Sequence, residues 1–154
     1  MSKVVLITGA SSGIGKSIAT FLSEKGYKVY GTSRNPKNIE NFSFELIPLD
    51  VLKVETITKA VNFILEKEGK LDVLVNNAGM GITGPIEDTP TNEMRAVFNT
   101  NLFGAIDVMK AVLPQMRKQK SGTIINVTSI AGYMGLPFRG LYSATKGALE
   151  TITE

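Results

Sequence analysis

Unbroken runs of aliphatic and β-branched residues recur along the chain, and polar residues, charges or glycine bound each run. Runs of this kind are typical of strands that are buried on both faces of a parallel sheet. The pattern predicts five strands, at residues 3–8, 27–32, 44–49, 71–75 and 123–127. We expect the first of these to be the central strand.

Between these runs, apolar residues repeat at the three- and four-residue spacing of amphipathic helices. Ile14, Ile18 and Leu22 mark a first helix, and Gly26 follows where a helix-ending glycine belongs. Further helical patterns cover residues 54–69, residues 91–119 and the residues from 141 onward. Pro114 is expected to bend or shorten the last turns of the 91–119 helix.

Strands that alternate with helices of this length predict right-handed βαβ units. The predicted fold class is therefore α/β, with a doubly wound parallel sheet covered by helices on both faces. The length of 154 residues is about that of one domain. We expect residues 1–154 to form a single domain, and the chain shows no internal repeat or linker.

Composition narrows the function classes. Hydrophobic residues make up 43% of the chain and charged residues 20%, as in ordinary soluble proteins. The net charge of +3 comes from scattered residues, so nucleic-acid binding is a distant hypothesis. Histidine and cysteine are absent, which excludes disulfides and the common transition-metal sites and predicts no metal. Without an apolar run of about 20 residues or a signal peptide, we expect a cytoplasmic protein that is not bound to a membrane.

The strongest local motif is Thr-Gly-Ala-Ser-Ser-Gly-Ile-Gly at residues 8–15, between the first strand and the first helix. Glycines there permit a tight turn, close approach of the backbone to a pyrophosphate, and packing of helix on strand. The N-terminus of the following helix offers N–H groups and positive potential to an anion. In this context the turn predicts dinucleotide binding in a Rossmann-like, three-layer fold, with a merely structural turn as the alternative.

The spacing Gly-x-x-x-Gly-x-Gly differs from the usual Gly-x-Gly-x-x-Gly. It resembles the cofactor turn of the short-chain dehydrogenase/reductase family, in its single-domain branch. Further elements of the family follow in the family's order, namely Asn76-Asn77-Ala78-Gly79, Asn101, Ser129, Tyr142 and Lys146. Each also has a structural alternative. Residues 76–79 could be a polar turn, Asn101 an exposed helix residue, Ser129 a turn or cap residue, and Tyr142 with Lys146 a chance pair. Their common order along the chain favours the resemblance.

Tyr142 and Lys146 lie four residues apart, so on a helix their side chains share one face. An ammonium beside a phenol lowers a pKa that is about 10 in tyrosine, which makes Tyr142 a candidate acid/base. The resemblance implies that Tyr142 donates the proton during carbonyl reduction and that Lys146 also holds the nicotinamide ribose. It further implies that Ser129 binds the substrate oxygen and that Asn101 helps to hold a proton-relay water near Lys146.

The choice of nicotinamide cofactor depends on the end of the second strand. An NAD enzyme usually has an acidic residue there, whereas an arginine can pair with the 2′-phosphate of NADP. Here Ser33 and Arg34 follow the strand without a carboxylate, so NADP(H) is preferred over NAD(H). A solvated loop arginine is the alternative. The expected cofactor-binding residues are Gly9, Ser11, Ser12, Gly13, Ile14, Gly15, Ser33, Arg34, Asp50, Val51, Asn77, Ala78, Gly79, Tyr142 and Lys146.

The chain stops eight residues after Lys146, whereas members of the family commonly continue with two further strands and a substrate-covering segment. We therefore expect the domain to be incomplete at its C-terminus, with residues 123–127 as an exposed apolar edge. A fragment of a longer reductase is favoured over a shortened protein that needs a partner to complete its sheet. The alternative function is a non-catalytic or inactive NADP-binding fragment.

The expected partner is a small carbonyl or alcohol substrate, with a homo-oligomer in the full-length form. Residues 135–138 resemble a loop of some hydroxysteroid and retinol dehydrogenases. Met80, Ile82, Met134 and Phe138 would give the pocket an apolar wall, which favours a lipophilic substrate.

Overall fold

The computed structural model describes residues 2–36 and 42–153. Its centre is one parallel sheet with the strand order β3-β2-β1-β4-β5. The strands are β1 Val4–Ile7, β2 Lys28–Ser33, β3 Glu45–Pro48, β4 Val73–Asn76 and β5 Thr123–Asn126. The predicted α/β class with a doubly wound parallel sheet is confirmed, and each predicted strand coincides with an observed one. The strand order reverses between β1 and β4, and such a switch point is where α/β sheets bind ligands.

Six helices flank the sheet in the described part of the chain. They are α1 Gly13–Glu24, α2 Val54–Glu68, α3 Thr91–Phe98, α4 Gly104–Gln119, α5 Ile130–Tyr133 and α6 Gly140–Thr151. The sequence pattern did not predict α5, which has only four residues and therefore no helical repeat. Gly69 ends α2 in the left-handed conformation with φ of 71°, as expected of a helix-ending glycine.

The long helical pattern from residue 91 to residue 119 has an irregularity in its middle. A π-helical segment, Asn99–Phe103, separates α3 from α4. Pro114 is exposed and does not shorten the helix, because α4 continues past it to Gln119. A carbonyl that loses its helical partner at an exposed proline can bond to water instead. The change from α-helical to π-helical geometry lies around Asn101, 13 residues before the proline.

The side chains of β1 divide the core into two layers, because successive residues of a strand point to opposite faces. Val4 and Leu6 pack with α2 and α4 in one cluster. Val5 and Ile7 pack with α1 and with Phe44 in the other. All four residues of β1 are buried, as a strand covered on both faces requires.

The stretch Thr91–Gln119 is long and apolar enough, by length and composition, to cross a membrane. Core helices have the same character when their apolar side is covered by protein. Here Val97, Val108 and Val112 of this stretch are fully buried, and the latter two pack in the core cluster that contains α2. Packing in the core therefore accounts for the apolar residues on the buried side of this stretch, while Phe103 is 53% exposed.

Candidate active site

The glycine-rich turn brings α1 directly against the ends of β1 and β4. Gly9 and Gly13 have φ of 67° and 55°, a conformation that strains other residues. A Cβ on Gly15 would stand 2.3 Å from the carbonyl oxygen of Gly9 and 2.4 Å from Nδ2 of Asn77. Glycine at position 15 is therefore required by close packing at the floor of the site.

The first turn of α1 leaves its N–H groups available to a ligand. Ser12 is the N-cap residue, and within the described structure its side chain makes no capping hydrogen bond. The first turn carries no acidic side chain. Backbone N–H groups at a helix start need an acceptor, and the helix dipole favours an anion there. This geometry fits the pyrophosphate of a dinucleotide.

Thr8 and Asn77 join the carboxyl ends of β1 and β4. The Thr8 hydroxyl accepts hydrogen bonds from the backbone N–H groups of Asn77 and Ala78, both at 3.0 Å. In return, Nδ2 of Asn77 donates to the carbonyl oxygens of Thr8 and Gly9, also at 3.0 Å. The sequence motif contains Thr8, but its role is visible only where the two strand ends meet. These bonds hold the turn against the strand that carries Asn77.

A cleft of about 660 Å³ opens at this switch point, above the carboxyl ends of the strands. It is lined by nearly all the residues expected to bind cofactor, with the exceptions of Gly15, Tyr142 and Lys146. Gly15 lies beneath the turn, against Gly9 and Asn77. The lining residues that the sequence did not predict are Thr32, Asn35, Leu49, Leu52 and Thr100. Met80, expected in the apolar wall of the substrate pocket, also lines this cleft.

Among the described residues that line the cleft, Arg34 is the cationic one, and it lies just beyond β2. Its side chain is exposed, and the neighbouring Ser33 accepts a hydrogen bond from the backbone of Asn35 at 3.3 Å. Asp50 lies beyond β3, where its carboxylate accepts from the N–H of Leu52 at 3.0 Å. The Asp50 carboxylate thus stabilises its own turn, while the exposed Arg34 forms part of the cleft lining.

Asn101 lies in the π-helical segment and is buried, with 1% of its surface exposed. Its Oδ1 accepts from the N–H of Met80 at 2.8 Å. Its Nδ2 donates to the carbonyl oxygen of Met80 at 2.9 Å and to the hydroxyl of Thr145 at 3.1 Å. The alternative of an exposed helix residue is therefore wrong. Isolated π-helical turns are frequent at functional sites.

Lys146 is 5% exposed, and its ammonium donates to the carbonyl oxygen of Val127 at 2.8 Å. Its Nζ lies 6.0 Å from the ring centroid of the half-buried Tyr142. A Cβ on Gly79, which lines the cleft, would be 3.6 Å from the same Nζ. Burial lowers the pKa of Lys146 below its ordinary value. The ammonium thus lies near both the ring of Tyr142 and Gly79, which lines the cleft.

Helices α5 and α6 touch through a pair of glycines. A Cβ on Gly132 would be 2.7 Å from the carbonyl carbon of Lys146, and one on Gly147 would be 3.1 Å from the carbonyl oxygen of Gly132. Ser129 begins α5 as its N-cap residue, with Oγ accepting from the N–H of Ala131 at 3.2 Å. The cap role that sequence analysis held as an alternative is therefore observed. This bond uses the oxygen only, so the hydroxyl proton remains available to a ligand.

The loops beside this corner carry exposed apolar side chains. Met80, Met134 and Phe138 are 42%, 51% and 64% exposed. The N–H of Gly84 donates to the carbonyl oxygen of Phe138 at 2.8 Å, which joins the loop after β4 to the loop before α6. Phe138 has φ of 60°, an uncommon conformation for a bulky residue. These loops carry an exposed apolar surface between β4 and α6 in the chain.

Comparisons with known proteins agree with this geometry. The family model for short chain dehydrogenases matches residues 3–154. The 3-ketodihydrosphingosine reductase of Bacteroides thetaiotaomicron is 48% identical over 99% of this chain and 56% of its own length. The structure of a short-chain dehydrogenase from Streptomyces avermitilis has a TM-score of 0.93 and 39% identity, covering 99% of this chain and 58% of that one.

A structure of ElxO with NADP bound is also similar, with a TM-score of 0.91 and 37% identity. It covers 99% of this chain and 65% of that chain. The present chain spans a little over half the length of the Bacteroides thetaiotaomicron reductase. A family match over almost the whole chain, together with this fold, shows that the protein belongs to the short-chain dehydrogenase/reductase family of oxidoreductases.

Proposed function

We propose that the protein is an NADP(H)-dependent reductase of ketones, acting also on the corresponding secondary alcohols in reverse, with Tyr142 as the acid/base. The observation that carries the proposal is the position of the buried Lys146 ammonium, near both the ring of Tyr142 and the cleft residue Gly79. The bound nicotinamide would supply the hydride, and the chain would supply the proton and the geometry.

The residues of the cleft fit a dinucleotide. The first turn of α1 would hold the pyrophosphate, residues 77–79 would lie against the nicotinamide half, and Asp50 and Val51 would lie beside the adenine. Lys146 would hold the nicotinamide ribose at the end of the cleft that Gly79 lines. Glycine at 79 leaves space at this end, since a Cβ there would be 3.2 Å from Oδ1 of Asn101.

During reduction, the carbonyl carbon gains a hydride and the carbonyl oxygen gains a proton, which gives the alcohol. Tyr142 would donate that proton from its phenol, and the hydroxyl of Ser129 would donate a hydrogen bond to the same oxygen. Loss of that proton leaves Tyr142 as a phenolate. Reprotonation of the phenolate from solvent then restores the site.

NADP(H) is proposed over NAD(H) because Arg34 can form charge-assisted hydrogen bonds with a 2′-phosphate. Ser33 lies beside it in the cleft lining and can donate a further bond. A carboxylate that would repel this phosphate is absent from residues 31–35, by sequence. The similar ElxO structure has NADP bound, which supports the same choice.

The proposed substrate is a lipophilic ketone. The exposed apolar residues Met80, Met134 and Phe138, on the loops after β4 and before α6, would pack against a hydrocarbon chain. The relative that is 48% identical is named for reduction of 3-ketodihydrosphingosine. We therefore propose 3-ketodihydrosphingosine as the first substrate to be tested.

The test is NADPH oxidation with this ketone, compared between the wild-type protein and Tyr142→Phe. The variant is expected to lose about 100-fold or more in kcat, because it lacks the transferable proton, while it retains NADPH binding. Tyr133→Phe is a matched control, since Tyr133 is 92% exposed on the adjacent α5. Retained turnover in Tyr142→Phe would sink the assignment. A wild-type protein that binds NADPH but reduces no ketone would instead favour the non-catalytic NADP-binding function.

A further inference from the structure

Thr145 lies on α6 between Tyr142 and Lys146, and its side chain is completely buried. Its hydroxyl donates to the carbonyl oxygen of Tyr142 at 2.8 Å and accepts from Nδ2 of Asn101 at 3.1 Å. A hydroxyl has one proton to donate. Since that proton is used within α6, Thr145 can only accept from Asn101.

This restriction selects one orientation of the Asn101 amide. Its Oδ1 faces the N–H of Met80, and its Nδ2 faces two acceptors, the carbonyl oxygen of Met80 and the hydroxyl of Thr145. The reversed amide would place oxygen against both acceptors and NH₂ against a donor. The peptide of Met80 and the hydroxyl of Thr145 therefore hold the amide in one position.

The network joins segments that are far apart in sequence at the corner where the cleft meets α6. Met80 and its neighbour Gly79 form part of the cleft lining, and Asn101 belongs to the π-helical segment. Thr145 stands on the helix that carries Tyr142 and Lys146. A shift of Thr145 would thus move the cleft wall relative to the acid/base pair.

We propose that Thr145 is a positioning residue that holds Asn101 and the residue 79–80 wall in register with Tyr142 and Lys146. The inference rests on the proposed reductase function. The Thr145 hydroxyl would act through Asn101, and would not itself touch the substrate or cofactor. Small misplacements of groups around a reacting centre can cost about 100-fold in rate, so a positioning residue is expected to affect kcat.

The test compares Thr145→Val, which removes the hydroxyl at nearly constant shape, with Thr145→Ser, which keeps it. We expect Thr145→Val to lose about 10- to 100-fold in kcat, with little change in the dissociation constant of NADPH. Thr145→Ser is expected to retain most of the activity. Thr151→Val is the matched control, because the exposed Thr151 donates to the carbonyl oxygen of Gly147 at 3.0 Å on the same helix.

A double-mutant cycle separates this role from a general loss of packing. If Thr145 acts through Asn101, the combined Asn101→Ala and Thr145→Val variant should be no slower than Asn101→Ala alone. Losses that multiply would overturn the inference, as would a Thr145→Val variant with wild-type kcat or a Thr145→Ser variant as slow as Thr145→Val. Failure of the proposed function would show differently, as a wild-type protein without reductase activity.

Discussion

Two cationic side chains differ in how the protein holds them, and this difference suits two tasks. Arg34 is exposed at the end of β2, where a ligand phosphate can reach it from solvent. Lys146 is buried, and the carbonyl oxygen of Val127 fixes its ammonium. An exposed arginine is suited to select a ligand by charge, whereas a fixed lysine is suited to orient one.

Replacement of Arg34 by alanine is expected to lower kcat/KM for NADPH by about 10- to 100-fold, the loss typical of charge-assisted hydrogen bonds. The value for NADH should change little, because NADH lacks the 2′-phosphate. Steady-state rates with both cofactors measure this ratio. Arg117→Ala, at an exposed position in the last turn of α4, is the control. An unchanged NADPH/NADH ratio in Arg34→Ala would show that Arg34 is a solvated loop residue.

At the scale of elements, the contact between α5 and α6 determines where Ser129 lies relative to Tyr142. The two helices touch at Gly132 and Gly147, without side chains between their backbones. Ser129 begins the first helix and Tyr142 stands in the first turn of the second. The glycine pair thus sets the distance between the two helices that carry these hydroxyl groups.

Gly132→Ala is expected to destabilise the protein by about 1–3 kcal/mol, because its Cβ would overlap the backbone of α6. The overlap is with backbone at 2.7 Å, so a side-chain rotation cannot relieve it. We also expect kcat to fall as α5 moves away from Tyr142. Chemical denaturation and turnover measure the two effects. Gly135→Ala is the control, since among the described residues nothing lies within 4 Å of its added Cβ; equal stability of the two variants would contradict the prediction.

At the scale of the whole molecule, polar contacts between residues that are distant in sequence hold neighbouring strands of the sheet together. Asp72 precedes β4 and accepts from the N–H of Val4, at the start of β1, at 2.7 Å. It also pairs with Lys70 at 2.8 Å. Partial burial raises the pKa of the Asp72 carboxyl, but these bonds and the charges of Lys70 and Lys3 outweigh burial, and the net pKa is lowered.

Asp72→Asn is expected to lower the free energy of unfolding at neutral pH by about 1–2 kcal/mol, through loss of a charged hydrogen-bond acceptor. A carboxyl with a lowered pKa in the folded state contributes stability above its unfolded pKa of about 4 and loses it as the pH falls through the folded value. The difference between wild type and variant should therefore shrink in acid. Urea unfolding between neutral pH and pH of about 2 measures this trend. Asp88→Asn, at an exposed position, is the control. A difference between wild type and Asp72→Asn that stays constant with pH would contradict the assignment.

The sequence by itself determined where the strands and the longer helices lie along the chain, and that a glycine-rich turn joins the first strand to the first helix. These features depend on local chemistry: apolar periodicity, glycine conformation and the start of a helix. The sequence also allowed Tyr142 and Lys146 to be placed on one helix, because residues four apart share a face. It could not predict α5, whose four residues are too few to show a period.

Tertiary structure decided which side chains meet. Lys146 bonds to Val127, Asn101 to Met80 and Thr145, and Thr8 to Asn77, across separations of 19 to 69 residues. Hydrogen-bond partners at such distances carry no local sequence signal, because packing of the sheet and helices alone brings them together. The same packing buries Asn101 in a π-helical turn and places the Lys146 ammonium near Gly79.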